Sequence, residues 1–112
     1  MINVEFLLDS ADNITGFSIE GHAEYAEYGR DIVCAAVSAV SQTAVIGLQK
    51  LLKGKPKVVQ EKGRLILRLP EDLSFEQRQI GNAVLKTMYW GLEAVKNEYK
   101  GYIKLIVRRC ES

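Results

Sequence analysis

Residues 2–9, INVEFLLD, alternate apolar and polar positions. Ile2, Val4, Phe6 and Leu8 fall on one face, the period of a half-buried strand. Ser10 to Asn13 carries turn chemistry, and alternation resumes over 15–21 through Phe17 and Ile19. This first segment therefore predicts a β-hairpin. Residues 22–30 follow neither period and predict a loop, with Gly29 near its end. From Ile32 to Gln49 the chain becomes apolar and uncharged. Asp31, just before that run, is placed to cap a helix, because a carboxylate accepts the N–H groups that a first turn leaves unpaired. The helix is expected to reach about Leu52, with Gly54 at C′ and Pro56 just beyond. Strands over 57–60 and 64–69 flank Glu61-Lys62-Gly63 and predict a second hairpin. Ser74 and Gln77 have the spacing of a capping box. After them Ile80, Val84, Met88, Leu92, Val95 and Tyr99 recur at steps of three and four, an amphipathic stripe. Gly101 closes that helix and 102–107 forms a last strand. The order ββαββαβ indicates an α+β fold: a mostly antiparallel sheet packed with two helices, in a single domain over 1–112.

Composition narrows the function. At 112 residues, with 47% hydrophobic and 26% charged, the chain is an ordinary globular domain with one core. Fifteen Lys and Arg against fourteen Asp and Glu leave a net charge of +1. A duplex-binding protein carries a marked basic excess, so no direct nucleic-acid partner is expected. The run 32–49 only touches the lower length limit of a membrane span, about 18 residues. It also holds Ser38, Ser41, Gln42, Thr43 and Gln49, which favours a buried core helix and no membrane. MINVEFLLDS lacks the charged start and cleavage site of a signal peptide, so a cytoplasmic location is expected. One histidine and two cysteines are too few for a Cys/His zinc site, and neither metal nor cofactor is expected.

The candidate chemistry lies at the boundary before the first helix. With Asp31 as N-cap, Cys34 is in the first turn, where exposed N–H groups and the helix dipole stabilise a thiolate. His22 closes the second strand, so its ring can reach the helix start and act as general acid–base. Backbone N–H groups of Cys34 and Ala35 are candidate donors to a developing oxyanion. Ser38 projects from the same helical face and its hydroxyl can reach the sulfur. Each residue also has a plainer role. Cys34 suits a small buried hydrophobe, His22 a polar loop residue, Asp31 a cap alone and Ser38 a packing residue. Tyr25 and Tyr28 read as half-exposed loop aromatics, and Cys110 as an exposed bystander.

The stretch GHAEYAEYGRDIVCAAVSAV, residues 21–40, resembles the signature of the bacterial ribosomal-processing cysteine protease family, Prp. Gly21, His22, Ala23, Gly29, Asp31, Ile32, Val33, Cys34, Ala35 and Ser38 match as they stand. The resemblance implies a cytoplasmic, homodimeric cysteine endopeptidase without a cofactor. Its implied substrate is large-subunit ribosomal protein twenty-seven, from which it removes the N-terminal extension. It implies Cys34 as nucleophile, His22 as general base, and Asp31 and Ser38 as supporting residues. The 22–30 loop, with Gly21, Tyr25, Tyr28 and Gly29, then governs substrate access. Two other classes remain open from the residues alone. One is a non-enzymatic ribosome-associated or RNA-binding module with a structural Cys34. The other is a thiol redox sensor using Cys110 as resolving cysteine.

Overall fold

A computed structural model describes residues 1–27 and 30–110. The elements follow the expected order: β1 (Ile2–Leu8), β2 (Ile14–Glu20), α1 (Ile32–Leu51), β3 (Lys57–Glu61), β4 (Arg64–Arg68), α2 (Phe75–Glu98) and β5 (Ile103–Arg109). The strands form one sheet in the order β3-β4-β2-β1-β5. All pairs are antiparallel except β1 with β5. Cross-strand pairs Phe6 with Phe17, Phe17 with Leu67, and Ile19 with Leu65 place the large apolar residues on one face. Because side chains alternate, that face is buried as a whole while Glu5, Ser18, Glu20 and Arg64 sit on the other. The two helices cover the apolar face and share a single core with it.

α1 and α2 run antiparallel. Val40 faces Gly91, and near the other end Lys53 N–H donates to Gln77 Oε1 at 2.8 Å. α1 buries Val33, Val37, Ser41, Ala44, Val45 and Leu48, one stripe at helical spacing. By length and composition it can span a membrane, yet only 33% of its apolar window is buried. It is the core helix expected, with its inner stripe in the core and its other side outward. Ile32, Ile46 and Leu51 stand half exposed on its outer side.

Three further details differ from expectation. Ser74 Oγ accepts Gln77 N–H as a cap, but Gln77 turns its own side chain to Lys53, so the capping box is only half formed. α1 closes at Leu52, and Gly54 is not in the left-handed conformation of a C′ glycine. Instead a Cβ on Gly54 would press on Pro70 at 3.3 Å. In α2 the deepest positions are Gly81, Leu85, Met88 and Leu92, with Ile80, Val84, Val95 and Tyr99 as flanks. Gly81 belongs to the buried line because Leu69 fills the space its side chain would take, 2.9 Å from a Cβ there.

Candidate active site

The site forms where β2 ends and α1 begins. Gly21 leaves β2 with φ +97°, and a Cβ there would meet the Met1 carbonyl oxygen at 2.5 Å. Only glycine accommodates both the backbone and the approach. Its N–H donates to the Gly63 carbonyl at 2.9 Å. Beyond this pinch His22 emerges exposed, whereas Ala23 is buried, 3% accessible. Burial of Ala23 aims its N–H at Cys34 Sγ, 3.3 Å away.

Asp31 caps α1 as its sequence position requires: Oδ1 accepts N–H bonds from Val33 and Cys34, both at 3.0 Å. Oδ2 accepts the N–H of Tyr25 at 2.9 Å, tying the loop to the helix start. Desolvation alone pushes this carboxyl up. Hydrogen bonds from the Cys34 and Tyr25 N–H groups, the Cys34 thiol and the Ala26 N–H outweigh that and hold it below its ordinary value of 3.8. A depressed folded-state value adds stability that is full above pH 3.8 and lost as pH falls through the folded value. Asp31→Asn keeps a capping oxygen but cannot titrate. In urea unfolding from pH 7 to pH 3, wild type is expected to lose more stability below about pH 4 than Asp31→Asn does. Equal losses in the two proteins would overturn this account of the cap.

Cys34 is half buried in the first turn of α1. Its own N–H and that of Ala35 are both taken, by the carboxylate and the carbonyl of Asp31. The expectation that these two groups are oxyanion donors is therefore corrected, because the cap takes the first and the opening backbone bond of the helix takes the second in this conformation. Ser38 lines the same cavities as Cys34, but its hydroxyl makes no bond to the sulfur among the described residues. Tyr25 is more than a loop aromatic. It packs edge-to-face on Tyr99 (centroids 5.7 Å apart) and Tyr102 (5.0 Å), at the junction of α2 and β5. Sequence reading missed this cluster, although Tyr99 lay within the α2 stripe. Tyr28 and Gly29 lie outside the described residues.

Two concavities meet at Cys34. The smaller, about 150 Å³, lies between α1 and the β3–β4 hairpin and includes Val37, Ser41, Gln42, Gln60 and Arg64. The larger, about 630 Å³, opens on the loop side with Glu24, Asp31, Ala35 and Lys62. His22, Cys34 and Ser38 border both. Cys110, by contrast, donates its N–H to Leu8 O at the far end of β1. A seven-residue strand, roughly 20 Å long, separates that end from the Ile2 end beside Cys34. A disulfide needs Cα atoms within about 7 Å, so Cys110 is not placed to resolve Cys34. Among the described residues no group of three His, Cys, Asp or Glu is arranged to hold a metal ion.

A helix-start thiol, with an imidazole on the same rim and a backbone N–H aimed at the sulfur, has the makings of a thiol-dependent hydrolase site. The chain is similar over 94 residues to the ribosomal processing cysteine protease Prp of Bacillus subtilis, 33% identical and covering 82% of this chain and 84% of that protein. The Staphylococcus aureus protein of the same name is 31% identical over 107 residues, covering 94% and 97%. The crystal structure of the S. aureus protease with a covalently linked product peptide superposes with a TM-score of 0.85 at 29% identity, covering 96% of this chain and 99% of that one. The family model for cysteine protease Prp matches residues 1–104. The chain belongs to that family and is a cysteine protease.

Proposed function

We propose that this protein is the cytoplasmic endopeptidase that removes the N-terminal extension of large-subunit ribosomal protein twenty-seven. In this reading Cys34 is the nucleophile and His22 the general base. The observation that carries it is the position of both residues on the rim shared by two concavities. An extended peptide laid from one to the other crosses the sulfur with residues on both sides of the scissile bond held. His22 takes the thiol proton, the sulfur attacks the carbonyl carbon, and the proton passes to the leaving amine. Water then hydrolyses the thioester, with His22 as base. Asp31 supports the site by holding the helix start and the loop, and Ser38 offers a hydroxyl along the peptide path. Gly21 sets where the access loop leaves the sheet, and Tyr25 docks that loop on Tyr99 and Tyr102. Tyr28 and Gly29 complete the loop in sequence. Titrating the extended ribosomal protein with purified enzyme and reading intact masses tests the reading. Two fragments at one bond support it, and an uncut substrate overturns it.

An RNA-binding role has less support. The net charge is only +1, and on the open sheet face Arg64 pairs with Glu20 and Glu61 and Arg108 with Glu5.

The protein acts as a homodimer in this proposal, joined through the outer faces of α1 and α2. Those faces share an apolar groove of about 690 Å³ lined by small residues such as Ala39, Gly47, Ala83 and Gly91. Small residues let helices approach closely, and exposed Ile32 and Ile46 extend the apolar surface. Gly47→Glu is a clean probe, since a Cβ there meets nothing within 4 Å. Sedimentation equilibrium is expected to give a dimer for wild type and a monomer for Gly47→Glu. A variant that remains dimeric removes this face from consideration.

A further inference from the structure

The His22 imidazole needs something to hold it, and Asp31 is committed elsewhere. Both Asp31 oxygens serve the backbone of Tyr25, Val33 and Cys34. The ring itself makes no hydrogen bond among the described residues. What lies against it is bare backbone: the turn of the β3–β4 hairpin at Gly63. A Cβ on Gly63 would stand 3.0 Å from His22 Nε2, 3.5 Å from Cε1 and 3.7 Å from Cδ2. The same turn holds the chain one residue earlier, through the bond from Gly21 N–H to Gly63 O. Gly63 also takes φ +74°, the conformation this tight turn requires.

We propose that Gly63 is a positioning residue for the protease reaction: the side-chain-free hairpin turn is the platform on which the His22 ring rests. The role rests on the reading of His22 as general base. A histidine ring explores its rotamers about two torsions, and a loop residue without a hydrogen-bonded partner has little to select among them. Contact along the Cδ2–Nε2–Cε1 edge restricts the rotation and leaves Nδ1, on the opposite side of the ring, as the nitrogen available for proton transfer. Any side chain at Gly63 displaces the ring by several tenths of an ångström from this seat. Misplacement on the ångström scale near reacting groups costs up to about a hundredfold in rate.

The test pairs two glycines with similar backbone and different surroundings. Gly101 has φ +92° and nothing within 4 Å of a Cβ, so Gly101→Asn carries the backbone change alone. Asn tolerates the left-handed region, which keeps both variants foldable. Gly63→Asn is expected to lower kcat about tenfold while KM stays within about twofold, and Gly101→Asn to leave both near wild type. A purely structural role lowers the folded fraction and with it the apparent kcat, so kcat is taken per folded enzyme counted by circular dichroism, and only a loss that persists after that normalisation reports positioning. Should Gly63→Asn fail to fold, the ring contact in the wild-type protein decides by itself. The wild-type protein supplies an independent readout, because His22 is its single histidine and its ring protons are unambiguous by NMR. A nuclear Overhauser contact between those protons and Gly63 Hα is expected. Its absence, or wild-type kcat in Gly63→Asn, or an equal loss in Gly101→Asn, overturns the platform. Full cleavage by His22→Ala overturns instead the general-base reading on which the positioning role depends, so the two failures are told apart.

Discussion

Cys34→Ala is expected to leave the extended ribosomal protein uncut under conditions where wild type processes it completely. Deleting a protease nucleophile removes the covalent route altogether, and losses of roughly 10⁴-fold or more in kcat follow. The fold is expected to survive the change. Cys34 is only half buried, its backbone N–H still bonds Asp31 after the thiol's bond to that carboxylate is lost, and alanine is the better helix former. The bond from Ala23 N–H loses its acceptor, so slight loosening of the loop is expected as well. Intact-mass spectrometry of the substrate and circular dichroism of the variant read the two effects separately. Processing by Cys34→Ala at even a tenth of the wild-type rate is incompatible with Cys34 as nucleophile.

His22→Ala is expected to lower kcat by about a hundredfold or more, the scale on which general acid–base groups act. Its effect on stability is expected to be small, because the ring is exposed and makes no hydrogen bond among the described residues. The excised ring leaves a space open to solvent over Gly63, so added imidazole is expected to restore part of the rate. The expected loss lies in kcat, since the peptide still finds both concavities. A variant that loses only KM, or that cleaves at the wild-type rate, would assign His22 to binding or to nothing.

Much of the local architecture was legible in the chain. Alternation through Ile2, Val4 and Phe6, and again through Phe17 and Ile19, identified the first hairpin because a half-buried sheet requires it. Asp31 could be read as a cap because an N-cap acts on N–H groups two and three residues away. The β3–β4 turn was marked by Gly63 for the same local reason. Gln77 was misread as closing a capping box because that motif counts only near neighbours. Lys53, twenty-four positions away, took its side chain. The α2 stripe was off-centre because Gly81 looks like a poor helix residue until Leu69 is seen to occupy its space.

The sequence by itself determined the elements, their order and the cap that opens α1. Each depends on residues within one or two turns of each other. Only the tertiary structure decided the strand order β3-β4-β2-β1-β5, with β5 parallel to β1 along its whole length. It alone bound the loop at Tyr25, set Ala23 N–H against the sulfur and laid His22 on Gly63. The physical reason is that distant partners are chosen by which surfaces bury together and in what register, and many pairings of the same elements satisfy the same local pattern.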